Sequence, residues 1–93
     1  MKIKETIINR FDDCQIDGTI DVVVKENNVD VYIKNEIGSL YWFFIYLDKE
    51  RCEILINGKF DYYELQYLAV FTEFCRDLIL NKKYKQLSLD LGV

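Results

Sequence analysis

Ninety-three residues with 51% hydrophobic side chains suit one compact domain around a single core and exclude a globally disordered chain. The net charge of −4 is scattered along the chain, which excludes a broad basic surface, so no direct nucleic-acid binding is expected and a mild nucleic-acid mimic stays open. Histidine is absent and Cys14, Cys52 and Cys75 form no CxxC pair, so neither a metal, a cofactor nor a disulfide framework is expected.

The start, Met1-Lys2-Ile3-Lys4-Glu5-Thr6, shows no apolar core of a secretory signal. The longest apolar run, 40–47, is strand-sized and far short of the ~20 residues a membrane helix needs. A cytoplasmic protein with reduced, buried cysteines is the expectation. Proline is absent while Ile, Asn, Lys and Tyr are abundant, which points to an AT-rich coding genome.

In chain order, Ile3, Ile7, Ile8 and Phe11 recur at helical spacing and predict a short helix over 3–12. Residues 20–26 and 29–35 then alternate around Asn27-Asn28, a pair suited to a two-residue hairpin turn. That turn opposes Glu26 with Val29, Val24 with Val31 and Val22 with Ile33. It also pairs Lys25 with Asp30, Val23 with Tyr32 and Asp21 with Lys34, two of these being opposite charges.

Residues 40–47 and 52–57 flank the polar loop Asp48-Lys49-Glu50-Arg51 and predict a second hairpin. Pairing Leu47 with Cys52 sets Ile45 against Ile54 and Phe43 against Ile56 on the core face. Tyr46/Glu53, Phe44/Leu55 and Trp42/Asn57 take the other face. Ile37-Gly38-Ser39 is a short link, so the four strands form an antiparallel meander.

Asn57-Gly58 ends the sheet, and Asp61 with Glu64 makes a capping box for a long helix over 62–83, with Phe60 and Leu65 in staple positions. Its expected buried face carries Tyr63, Tyr67, Val70, Phe71, Phe74, Cys75 and Leu78, while Lys82 and Lys83 suit the negative end of the helix dipole. The helix should cover Val22, Val24, Val31, Ile33, Ile45 and Ile54. The expected class is α+β: a four-stranded antiparallel meander with a short N-terminal helix, a long C-terminal helix and an extended tail. Residues 1–84 form the domain, and 85–93 a tail or edge strand.

The second sheet face would carry Val23, Tyr32, Trp42, Phe44, Tyr46 and Leu55, an apolar set for a solvated surface. Either the N-terminal helix covers it or the helices share both sides, or Tyr32, Trp42, Phe44, Tyr46 and Leu55 are an interface for a homodimer or another partner. Neither GxGxxG nor GxxxxGK[ST] occurs. Asp12-Asp13 and Asp17 lack calcium-loop spacing and read as a solvated helix end. No enzymatic activity is expected.

The chain closes on Lys82-Lys83-Tyr84-Lys85-Gln86-Leu87-Ser88-Leu89-Asp90-Leu91-Gly92-Val93. Leu87, Leu89 and Leu91 alternate with Ser88 and Asp90, the period of an extended strand. One possibility is a last edge strand of the sheet. The other comes from residue identity: Gln86-Leu87-Ser88-Leu89-Asp90-Leu91 resembles the QLxLxL hexapeptide of proteins that bind the bacterial replicative sliding clamp. The resemblance implies that Gln86 enters a small polar pocket and that Leu87, Leu89 and Leu91 fill an adjoining apolar cleft. Ser88 then acts as a small spacer and Asp90 occupies a variable position.

On that resemblance the expected function is non-enzymatic docking on the sliding clamp by an accessory or inhibitory protein of a phage or mobile element. The alternative is an inhibitor of a host defence factor or toxin that acts through its acidic and aromatic domain surface, as a DNA mimic or otherwise.

Overall fold

The computed structural model describes residues 2–81. Six elements follow one another: α1 (Lys2–Asp13), β1 (Thr19–Val24), β2 (Asn28–Lys34), β3 (Leu40–Tyr46), β4 (Cys52–Asn57) and α2 (Tyr62–Leu80). The strands form one antiparallel sheet in the order β1-β2-β3-β4, which leaves β1 and β4 as its edges. This is the expected α+β meander between two helices.

Both hairpins are displaced from the expected register by one step of two residues. Val29 opposes Val24 rather than Glu26, and the first turn is Glu26-Asn27, closed by the Lys25 N–H donating to the Asn28 carbonyl at 2.8 Å. Asn28 instead belongs to β2, where its side-chain amide donates to the Asp30 carboxylate. In the second hairpin Cys52 opposes Ile45 rather than Leu47, and the loop is Leu47-Asp48-Lys49-Glu50. Its closing bond runs from the Tyr46 N–H to the Arg51 carbonyl at 3.1 Å.

A slip of two leaves every side chain on its own face, so hydrophobic alternation is blind to it. It does change partners. Asp21 opposes Tyr32 and Lys34 opposes Thr19, so the expected Asp21/Lys34 pair is absent. Lys25 and Asp30 are no longer directly opposite, yet the longer lysine reaches the carboxylate at 2.6 Å.

Both helices lie on the same sheet face. Ile3, Ile7 and Phe11 of α1 and Leu68, Phe71, Cys75 and Ile79 of α2 join Val22, Val29, Val31, Ile33, Tyr41, Phe43 and Ile45 in one core. The Phe71 ring is the joint, edge-on to Phe11 at 5.6 Å and to Phe43 at 6.2 Å. This decides against two of the alternatives for the second face, cover by α1 and helices shared between both sides. An amphipathic α1 with a single buried stripe, Ile3-Ile7-Phe11, gains most by closing the core beside α2.

The capping box of α2 forms as expected. Asp61 accepts from the Glu64 N–H at 2.8 Å, and the Asp61 N–H donates to the Glu64 carboxylate at 3.2 Å. The buried stripe is Leu68, Phe71, Thr72, Cys75 and Ile79, rotated from the expected face. Tyr63, Tyr67 and Val70 are exposed instead. Thr72 sits in the stripe because its hydroxyl has two partners: it donates to the Leu68 carbonyl at 2.7 Å, which leaves its oxygen to accept from the Tyr41 hydroxyl at 3.1 Å.

Burial pushes the Tyr41 phenol above its usual range while the bond to Thr72 pulls the other way, so the neutral donor form is the one the core holds. Thr72→Val should therefore cost about 1–3 kcal/mol, because it strands the Tyr41 hydroxyl. Tyr41→Phe should cost less, about 0.5–1.5 kcal/mol, since Thr72 keeps its carbonyl partner. Urea titrations of the two variants check the order.

Gly58 closes the turn from β4 to α2 with φ +100, and a Cβ there would run into Ser39. The close approach lets the Ser39 hydroxyl oxygen accept the Lys59 N–H at 2.8 Å.

Candidate partner-binding surfaces

With both helices on one side, no helix of the described residues covers the other sheet face. Tyr32, Trp42, Phe44 and Tyr46 line up across β2 and β3 as a ladder of rings. Tyr32 stacks on Trp42 at 5.4 Å, Trp42 tilts against Phe44 at 5.5 Å, and Phe44 meets Tyr46 edge-on at 5.7 Å. Lys49 sits over the Tyr46 ring at 4.3 Å and extends the ladder with a cation–π contact. Each ring is half-buried by its neighbours, while Val23 and Leu55 at the flanks are exposed. The Trp42 indole N–H is buried without a hydrogen-bond acceptor among the described residues.

One charged group is set into this face. Asp30 is buried and takes Lys25 as ion partner, the Asn28 amide as donor and the Tyr32 hydroxyl as a longer donor at 3.3 Å. The Asp30 bond holds the Lys25 ammonium above its usual range. Burial, then the Asp30 charge, pushes the Tyr32 phenol up. The face is therefore aromatic along its middle with an ion-paired carboxylate at one end, and it offers stacking and apolar contact.

The five residues predicted for this surface, Tyr32, Trp42, Phe44, Tyr46 and Leu55, are brought together on one face. Two residues predicted for the core are not buried. Ile54 and Ile56 point to the helical side of β4 but remain 48% and 52% exposed, and Leu55 on the opposite side is 50% exposed. The helices pack over β1 and β3, and β4 projects beyond them. The Ile54-Leu55-Ile56 run gave no signal of this exposure, since three consecutive apolar residues read as a strand buried on both faces.

A wide groove at the start of α2 is lined by Asp17, Glu36, Lys59, Asp61 and Glu64, but the last two carboxylates cap the helix. Among the described residues no group of three His, Cys, Asp or Glu could hold a metal ion. Asp12 and Asp13 are simply the last turn of α1. Cys14, Cys52 and Cys75 are free thiols; Cys75 is buried and the other two half-buried, and burial pushes the Cys75 thiol far up. No helix of the described residues is long and apolar enough to cross a membrane.

The hexapeptide Gln86-Leu87-Ser88-Leu89-Asp90-Leu91 lies outside the described residues. Comparison with protein-family models, curated proteins and solved structures finds no match to this chain.

Proposed function

We propose that this protein is a protein-binding module that docks on the bacterial replicative sliding clamp through residues 86–91. The observation that carries the reading is the peptide itself: a glutamine, three leucines at alternate positions and a small serine between the first two. Gln86 is the polar anchor, and Leu87, Leu89 and Leu91 supply the apolar contact. In sequence, Gln86 follows the end of α2 at Leu80 after five residues, 81–85.

The energetics fit a peptide contact of moderate strength. Three leucines taken from water contribute roughly 1.5–3 kcal/mol each. Loss of rigid-body freedom and ordering of the peptide offset much of that, leaving a Kd on the order of micromolar. The half-buried aromatic face favours a second contact surface, for a homodimer or for another protein, and it also supports the runner-up function of neutralising a host factor through the domain.

Pull-down on immobilised clamp separates the two. The double variant Gln86→Ala with Leu89→Ala should lose capture while its thermal unfolding is unchanged. Capture that survives in this variant contradicts docking through the peptide and favours the domain surface.

A further inference from the structure

We infer that the outer edge of β4 is a self-complementary interface, through which two copies of this chain pair antiparallel about a two-fold axis at Ile54 into one continuous sheet. The inference stands apart from clamp docking and uses a surface other than the aromatic ladder.

The phase of the ladder decides which groups face outward. The Tyr46 N–H to Arg51 carbonyl bond makes Tyr46 and Arg51 a hydrogen-bonded pair. Alternation then turns the backbones of Glu53 and Leu55 toward Phe44 and Trp42 of β3. Cys52, Ile54 and Ile56 present their N–H and C=O groups on the outer side, where no described strand pairs with them. Their side chains lie on the helical side, in line with Ile45, Phe43 and Tyr41 of the core.

This edge is also unguarded. Natural edges are commonly protected by lysine, proline, a bulge or a covering element. The opposite edge, β1, has α1 packed against it. In β4 the one charged residue is Glu53, which Arg51 holds in an ion pair at 2.5 Å. The middle of the strand, Ile54-Leu55-Ile56, is about half-exposed on both faces.

Symmetry limits the register in which a second copy can pair. A two-fold axis normal to the sheet keeps every side chain on its own face, so the axis passes through a residue and not between two. A centre at Glu53 sets two carboxylates directly opposite each other, which is destabilising. A centre at Leu55 pairs Cys52 with Gly58, which lies beyond the strand at φ +100. The centre at Ile54 has neither fault. Ile54 then opposes Ile54 of the other copy, and Cys52 opposes Ile56. These are hydrogen-bonded pairs that exchange both bonds, so the outward groups of β4 are satisfied together. On the helical side the two copies join Cys52, Ile54 and Ile56 into one apolar row. On the other face Leu55 opposes Glu53, whose carboxylate Arg51 already holds.

The fit of the edge to itself is what selects a second copy: the same residues supply both halves of the ladder, the apolar row and the charge pattern. Size sets the strength. A six-residue strand with three half-exposed side chains falls short of the roughly 800 Å² per partner of a standard interface. The dimer is therefore a weak one that exchanges with monomer, with a Kd on the order of 0.1–1 mM. Pairing at this edge leaves the aromatic ladder for a different partner.

Two measurements on the full chain, without clamp, test this. Sedimentation equilibrium up to about millimolar concentration should show reversible dimerisation. Ile54→Lys, which sets like charges across the axis, should weaken it at least about tenfold. Ile37→Lys, at an exposed apolar side chain away from the edge, should leave it unchanged. Amide hydrogen exchange of the unaltered chain gives a readout that needs no variant. Raising the concentration should slow the Ile54 and Ile56 amides at least about threefold, while those of Glu53 and Leu55, already bonded to β3, stay as they are. A monomer at every concentration overturns the inference. So does dimerisation that survives Ile54→Lys or falls equally with Ile37→Lys. Slow exchange at Ile54 and Ile56 that is independent of concentration also overturns it, because the edge is then filled within one chain.

Discussion

Phe71→Ala is expected to lower folding stability by about 3–5 kcal/mol, a large share of the 5–15 kcal/mol a domain has in total. Phe71 is fully buried and its ring touches Phe11 of α1 and Phe43 of β3. It is thus the side chain through which both helices are fixed to the sheet. Removing it takes away its own transfer free energy and leaves a cavity that two helices would have to move to close. Urea unfolding measures the loss. A cost under about 1 kcal/mol would mean that the helices do not meet over β3 as described.

The second large effect concerns the backbone. Gly18→Ala should cost about 2 kcal/mol or more, and Gly38→Ala about 1 kcal/mol. Gly18 has φ +137, a region that side chains avoid, and a Cβ there would collide with the Lys34 carbonyl across the sheet. Gly38 also has a positive φ, +86, but a Cβ there would meet open space. The difference between the two variants isolates the collision from the conformational cost. Equal losses would show that the Gly18 turn does not approach β2 so closely.

Much of this architecture is legible from residues alone, and the exceptions have physical causes. Asp61 and Glu64 announce the start of α2 because a capping box is a local device, complete within four residues. The meander follows from alternation and turn residues. The hairpin registers do not, because a slip of two keeps Val22, Val31, Phe43 and Ile45 on the core face and only the turn hydrogen bonds decide between registers.

The buried face of α2 is misread for another reason. Thr72 looks like a surface residue until Tyr41 and the Leu68 carbonyl give its hydroxyl partners, while Tyr63, Tyr67 and Val70 look like core although the helical layer leaves them outside. Likewise, alternation separates Trp42 and Phe44 from Phe43 and Ile45, but it cannot say that both helices choose the latter face. The aromatic ladder was legible as a group of residues; that no described helix covers it is a property of the packing. The apolar edge at Ile54-Leu55-Ile56 was hidden by the same limitation, since a buried central strand would be written with the same residues.

The most direct measurement is a titration of the full chain against purified bacterial sliding clamp, followed by competition with a QLxLxL peptide. The proposed function predicts saturable binding with a Kd on the order of micromolar, weakened at least about tenfold by Gln86→Ala with Leu89→Ala, and displaced by the peptide. Absence of saturable binding, or binding that neither the variant nor the peptide disturbs, would contradict it.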